Sequence, residues 1–288
     1  MKRNVRSLEM PDSNKSVPGN PLLVFYLAME EWAVEHTTDT FFVWNVDPTV
    51  IFGHNQDMEA EVNVEYCREH GIRMFRRKSG GGCVYSDRGN LMLSYITGER
   101  DVGVAFQEYL DRLAGALRSL GIEAVTTAHN DVLVDGRKVS GNACYATARG
   151  CIVHGTLLVD CNFSEMERAI TPSREKLESK GIKSVRQRVA NLKELSTEFD
   201  IDTLKLKIIN YFCNNESVLS NEDILKTTLI MHNELFVYAQ STLQGETQIL
   251  NRMRAFWEYQ ESLLPKKSFK KLTKSTTLRS YHEALASL

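Results

Sequence analysis

The sequence predicts an α+β protein, and three observations carry that expectation. Between residues 40 and 160, short runs of aromatic and β-branched residues recur with turn residues between them, which is the texture of strands. Asp135-Gly136 separates two of these runs and is a strong hairpin signal. Beyond residue 200 the apolar spacing becomes helical.

The elements follow in order. Residues 1–20 are polar with Pro11, Pro18 and Gly19, and read as an irregular lead-in. Over 22–36, Leu23, Tyr26, Leu27, Glu30 and Val34 stand at helical spacing, so an amphipathic helix is expected. The runs 41–44 and 50–53 read as strands, with Asp47-Pro48 as the turn between them. A short helix over 64–70 stops at Gly71, an expected C-terminal cap. Strands are predicted over 72–75 and 91–97, then a helix over 104–120 stopped by Gly121. Four more strands are predicted over 122–127, 131–134, 142–148 and 151–159. Helices follow over 201–212, 221–238 and 248–261. The tail 266–288 sets Lys266, Lys267, Lys270, Lys271, Lys274 and Arg279 against Glu283, and reads as solvated or disordered. The expected organisation is therefore a lead-in (1–20), a main domain (21–245) and a helical, basic extension (246–288).

Composition narrows the class. At 288 residues the chain exceeds the usual single-domain length. Its 42% hydrophobic and 25% charged content are ordinary for a globular protein. A net charge of −2 argues against a general nucleic-acid binder. No apolar run approaches the ~20 residues that span a bilayer, and no signal peptide is visible. The six cysteines show no CxxC spacing and read as reduced thiols, which predicts a cytoplasmic protein.

The chemistry concentrates in a few segments. In 76–91 (RRKSGGGCVYSDRGNL), Arg76, Arg77 and Lys78 precede Ser79 and three glycines. Gly80, Gly81 and Gly82 lack Cβ atoms, so the backbone can approach a bulky anion and aim N–H groups at it. The guanidinium groups add forked donors suited to phosphate or carboxylate. A flexible turn with solvated charges fits the same residues. No Gly-Lys-Ser/Thr closes the loop and no GxGxxG spacing exists, so it is neither a P-loop nor a dinucleotide fingerprint. In 130–143 (NDVLVDGRKVSGNA), Lys138 follows the tight hairpin and reads either as a point charge for an anion or as an edge-strand lysine. His154 and Gly155 sit inside an apolar run, where glycine marks close approach of a ligand or another backbone. The run 180–192 (KGIKSVRQRVANL) is basic with apolar residues interleaved.

Taken in this order, and with YLAMEE at 26–31, Asp47-Pro48-Thr49-Val50 and Gly53-His54-Asn55-Gln56, these motifs resemble the lipoate-protein ligase family from about residue 22 to about residue 196. The resemblance implies a central mixed, mostly antiparallel sheet flanked by helices. It also implies a two-step reaction, in which ATP with Mg²⁺ activates lipoate as lipoyl-AMP and a protein lysine then takes the lipoyl group. The acceptors implied are apo lipoyl domains of 2-oxoacid dehydrogenase E2 subunits and the H protein of glycine cleavage. By position, Lys138 matches the family lysine that contacts lipoyl carboxyl and phosphate. Arg76, Arg77, Ser79 and Gly80 to Gly82 match the adenylate loop, and Cys83, Val84 and Tyr85 the segment along the nucleotide. Asn130 and Asp131 match polar contacts to nucleotide, with Asp131 a possible metal contact. Ser79, His154 and Gly155 match the acyl end, with Phe25, Trp44, Val50 and Phe52 as expected walls of an apolar slot.

The chain also departs from the family. Ser86-Asp87 stands where many members carry His-Asp, and Val153-His154 where a double histidine is common. The Trp-x-Trp and Gly-x-x-Pro signatures of the family's accessory domain are absent. Three further readings follow: a separate accessory polypeptide, a transferase using a pre-activated or carrier-bound acyl group, or a binding protein without activity. An octanoyltransferase would use a cysteine; Cys83, Cys144 and Cys151 lie near the right segments but read as small buried residues.

Overall fold

The computed structural model describes residues 4–9, 23–37, 39–127, 130–171, 188–195, 200–213, 215–218, 220–258 and 264–288. They form two compact units, Met1–Val218 and Leu219–Leu288.

The first unit is built on β1 (Arg6–Glu9), β2 (Thr40–Trp44), β3 (Thr49–Phe52), β4 (Arg73–Arg76), β5 (Val84–Ser86), β6 (Asn90–Thr97), β7 (Ala124–Thr126), β8 (Asp131–Val134), β9 (Arg137–Ala146), β10 (Cys151–Leu158) and β11 (Asn215–Val218). Eight of them make one sheet in the order β11-β1-β2-β6-β10-β9-β8-β7. The β11–β1 and β1–β2 pairings are parallel and the rest antiparallel, the mixed sheet expected. A second sheet, β4-β3-β5, stands apart.

Both faces of the large sheet are covered. Every residue of β6 and β10 is buried, so these strands read as continuous apolar runs rather than alternating ones. Helix Leu23–His36 packs against β6 and β10. Helix Val102–Ser119, with Asp101 accepting from Val104 N as its cap, packs against β9, β10 and helix Ile201–Phe212. Leu110, Leu113, Leu117, Ile208 and Phe212 form the core between them. At the β8–β9 turn, Asp135 (φ 49°) and Gly136 (φ 73°) are both left-handed, the geometry that lets two residues close a hairpin with the native twist.

Several expectations are corrected. Residues 6–9 are not irregular: they form β1, because Val5, Ser7 and Leu8 are buried. Residues 1–3 and 10–22 lie outside the described ones. β9 starts at Arg137 rather than 142, which places Lys138 inside a strand. Helix Asn221–Thr242, which buries Ile224, Met231 and Ala239 and packs on helix Glu246–Glu258, falls in the second compact unit. The tail is neither solvated coil nor disordered. It forms helices Lys266–Thr273 and Leu278–Leu285, anchored by buried Leu272 and Tyr281. Its lysines are exposed at 266, 267, 270, 271 and 274, while Leu272 is buried. Helices Met58–Glu61 and Phe163–Ala169 were not anticipated; Asp57 and Asn162 cap them. Among the described residues, no helix is long and apolar enough to cross a membrane.

The second unit has a polar centre. Tyr281 Oη accepts from Trp257 Nε1 at 2.7 Å and lies 2.7 Å from His232 Nε2. Burial lowers the pKa of His232. Tyr281→Phe strips two buried partners at once, and is expected to destabilise the unit by about 1–3 kcal/mol. Chemical denaturation followed by Trp257 fluorescence reads that shift.

Candidate functional site

A cavity of about 200 Å³ opens where the two sheets of the first unit meet. Its apolar lining is Leu23, Leu27, Trp44, Ile51 and Met92. Its polar lining is cationic and backbone-rich, with Arg77, Gly81, Gly82, Cys83, Lys138 and Arg188.

The glycine loop is held from behind. Arg77 is buried, its Nη2 donating to Gly80 O at 2.7 Å and Gly82 O at 2.9 Å, its Nη1 to Ile51 O at 3.1 Å. Its Nε donates to Ser79 Oγ at 3.0 Å. Burial lowers the Arg77 pKa, yet the guanidinium remains charged because its ordinary value is so high. Two loop carbonyls thus point at Arg77, and in trans peptides the N–H groups of Gly81 and Cys83 point the opposite way. Gly53 lies directly beneath, close enough that a Cβ there would overlap the Gly81 carbonyl.

Arg76, its neighbour on β4, faces elsewhere. Its Nη1 donates to His54 O at 2.8 Å and Gln56 O at 2.7 Å, and its guanidinium lies 4.6 Å from the Phe52 ring. It braces the 53–56 turn and does not line the cavity, so an anion contact from Arg76 is not what the geometry shows.

Lys138 enters from the opposite wall. Its Nζ lies 2.7 Å from Asp131 Oδ1, while Arg188 donates to Asp131 Oδ2. Asp131, only 5% exposed, therefore holds two cations at the cavity edge. The β8–β9 pairing shifts register between Val132 and Leu133, which brings Asp131 and Lys138 to one face. A Cβ at Gly141 would meet the Lys138 side chain within 2.6–2.7 Å, so the missing methyl is what lets the lysine lie there. With both oxygens engaged, Asp131 does not stand free as a metal ligand, and no group of three His, Cys, Asp or Glu suited to a metal occurs among the described residues.

At the floor, His154 Nε2 lies 2.6 Å from Ser79 Oγ and Nδ1 lies 3.0 Å from Glu30 Oε2. Gly155 makes room for Asn142, whose Oδ1 accepts from Tyr109 Oη at 3.1 Å and Ser140 Oγ at 3.0 Å. Asn142 Nδ2 in turn donates to Asn130 O at 3.0 Å, so Asn130 meets the site through its backbone; its side chain is exposed and outside the cavity lining.

Of the expected residues, the structure brings Arg77, Gly81, Gly82, Cys83, Val84, Lys138, His154 and Gly155 to the cavity wall. Ser79 and Gly80 sit one step behind, through Arg77 and His154. Tyr85 does not lie along it: its ring is buried in the core behind the small sheet, and burial raises its hydroxyl pKa far above normal. Val50 and Phe52 share that core, because side chains alternate along β3 and it is Ile51 that faces the cavity. Phe25 packs edge-on to Tyr26 instead, whereas Leu23 and Leu27, one turn apart, take the cavity face. Sequence reasoning did not single out Arg188, Glu30 or Asn142 as site residues. Arg188 lay in a basic run that resembles a solvated face, and Glu30 on an apolar helix face; a buried acid at such a position was the one available signal.

Burial pushes the Cys144 thiol up to about 12, and raises Cys151 and Cys161 as well. Burial thus disfavours the reactive thiolate at these three positions.

A glycine loop, two cations, aliphatic side chains and Trp44 thus share the lining of one cavity. The chain belongs to the lipoyl protein ligase A/B catalytic domain family, whose model matches residues 23–213. It is 39% identical to lipoate-protein ligase LplJ of Bacillus subtilis over 199 residues, 67% of this chain and 60% of that protein. It is 37% identical to lipoate–protein ligase 1 of Staphylococcus aureus over 206 residues, 68% of this chain and 63% of that protein. The chain thus spans less than two thirds of the length of these curated relatives. The structure of a bi-partite lipoate protein ligase from Thermoplasma acidophilum superposes with a TM-score of 0.67 at 25% identity, covering 79% of this chain and 92% of that one.

Proposed function

We propose that the protein activates lipoate with ATP and transfers the lipoyl group to a lysine of a lipoyl-domain acceptor. One observation carries this: Lys138 and Arg188, paired through Asp131, share one cavity with the glycine loop and with the apolar side chains Leu23, Leu27, Trp44 and Met92. The apolar side chains take the hydrocarbon tail and dithiolane, and the cationic groups take the carboxylate beside the nucleotide phosphates.

In the first step a lipoate oxygen attacks the α-phosphorus and pyrophosphate leaves, giving a mixed anhydride. Two anions must meet, so the cost of their repulsion has to be offset by fixed cations and N–H donors. Lys138 bridges the carboxyl and phosphate oxygens, Arg188 adds the second charge, and the N–H groups of Gly81 and Cys83 complete the cradle. Arg77 shapes that cradle rather than touching the anion. Mg²⁺ would enter with the phosphates of ATP and would help neutralise their charge, as is usual for an ion that keeps most of its water. In the second step the acceptor amine attacks the carbonyl and expels AMP, a far better leaving group than oxide. The acceptors proposed are E2 lipoyl domains and the glycine cleavage H protein, in the cytoplasm.

The test incubates the purified chain with ATP, Mg²⁺, lipoate and an apo lipoyl domain. A lipoyl adduct on the acceptor, found by mass spectrometry together with lipoate-dependent ATP–pyrophosphate exchange, is the expected result. The likeness to a bi-partite ligase favours a second reading, in which adenylation needs a separate accessory polypeptide. Transfer from supplied lipoyl-AMP, without exchange, is its signature. Absence of both rejects the proposal.

A further inference from the structure

Glu30, within the YLAMEE segment, is 1% exposed and does not line the cavity, yet it stands at the centre of a continuous buried chain. Trp44 Nε1 donates to Ser94 Oγ at 2.9 Å, and Ser94 Oγ donates to Glu30 Oε1 at 2.5 Å. Glu30 Oε2 meets His154 Nδ1 at 3.0 Å, His154 Nε2 meets Ser79 Oγ at 2.6 Å, and Arg77 Nε donates to Ser79 Oγ at 3.0 Å. Ser94, Ser79 and Trp44 are each 3% exposed or less.

The donor inventory leaves one arrangement that closes every bond. Trp44 can only donate, so the Ser94 hydroxyl must point at Glu30. A carboxylate accepts only, so the facing His154 nitrogen, Nδ1, carries the proton. Nε2 is then an acceptor, the Ser79 hydroxyl donates to it, and the Ser79 lone pairs are left for Arg77. A proton on Nε2 would strand the Ser79 hydroxyl hydrogen in a buried site.

We infer that Glu30 is a positioning residue: it sets the tautomer of His154 and, through Ser79, aligns the Arg77 guanidinium that shapes the glycine loop. The chain links Trp44, in the apolar lining of the cavity, to Arg77, in its cationic lining. The activity part rests on the proposed ligase function; the tautomer does not.

Glu30→Gln keeps the shape and breaks the logic. If the amide nitrogen faces His154, the imidazole proton moves to Nε2 and opposes the Ser79 hydroxyl; an acid-to-amide change of this kind flips a paired imidazole. If the nitrogen faces Ser94, the hydroxyl there loses its acceptor.

Long-range ¹H–¹⁵N spectra, assigned with His154→Asn, should show Nδ1 protonated and Nε2 bare in the wild-type chain. In Glu30→Gln, amide hydrogen exchange at 79–83 should rise and kcat for lipoate-dependent exchange should fall at least about tenfold. The same change made in a Ser79→Ala background should add little, because the link is already cut. Should Glu30→Gln fail to fold, Ser79→Ala alone must raise exchange at 80–83. A wild-type Nε2–H tautomer or imidazolium overturns the inference, as does unchanged loop exchange in both variants. A chain with the expected tautomer and no activity on any acyl acid would instead reject the ligase reading.

Discussion

Lys138→Ala is expected to lower adenylation and lipoyl transfer by about 10–150-fold or more, with the fold retained. A charge-assisted contact to a buried anion contributes roughly 1.5–3 kcal/mol, and each ~1.4 kcal/mol is a factor of ten in rate. A contact that tightens as charge builds at the α-phosphorus adds to this figure. Folding should survive because Lys138 is partly exposed and Arg188 still neutralises Asp131. Lys138→Arg should not rescue activity. The lysine passes within 2.6–2.7 Å of where a Gly141 Cβ would stand, and a planar guanidinium fork is wider than that passage. Pyrophosphate exchange, transfer from synthetic lipoyl-AMP and a thermal melt measure the three quantities separately. Wild-type lipoylation by Lys138→Ala would reject the assignment.

Gly53→Ala is the second large effect. The new methyl would overlap the Gly81 carbonyl oxygen and stand 3.0 Å from its carbon and 3.2 Å from Gly80 C. These are backbone atoms, so no side-chain rotation relieves the clash. The loop is also tied to the turn by His54 N donating to Ser79 O at 3.0 Å and Arg77 N donating to Phe52 O at 3.0 Å. The loop must therefore move out, at about 1–3 kcal/mol for overpacking, and it takes the Gly81 and Cys83 amides with it. The KM for ATP should rise about ten- to a hundredfold, with a melting temperature lowered by about 2–12 °C. Gly82→Ala is the stability control, since a Cβ there meets nothing within 4 Å. An unchanged KM for ATP in Gly53→Ala would show that the loop does not face the nucleotide.

Much of this was legible in the residues, for physical reasons that also mark where legibility stopped. The Asp135-Gly136 hairpin was readable because two left-handed positions demand those residue types. The glycine loop and Lys138 were readable because each breaks the pattern around it. The division of labour between Arg76 and Arg77 was not. Neighbours on a strand face opposite ways, and only the β3–β4–β5 register decides which one meets the loop. Tyr85 failed for the same reason. Arg188 and Glu30 lie far from their partners in sequence, and no local spacing encodes Glu30 meeting His154. The tail misled because five exposed lysines outweigh Leu272 and Tyr281 in composition, whereas two well-placed apolar anchors decide whether the segment packs.

The Asp131–Lys138 pair has one more consequence. The ammonium already has a resident carboxylate, so an arriving acid exchanges one carboxylate contact for another and gains only the difference. A phosphate oxygen cluster carries more charge and wins that exchange more readily. Under the proposed reaction the pair would act as a threshold, discounting lone carboxylates and responding most strongly when acid and triphosphate arrive together.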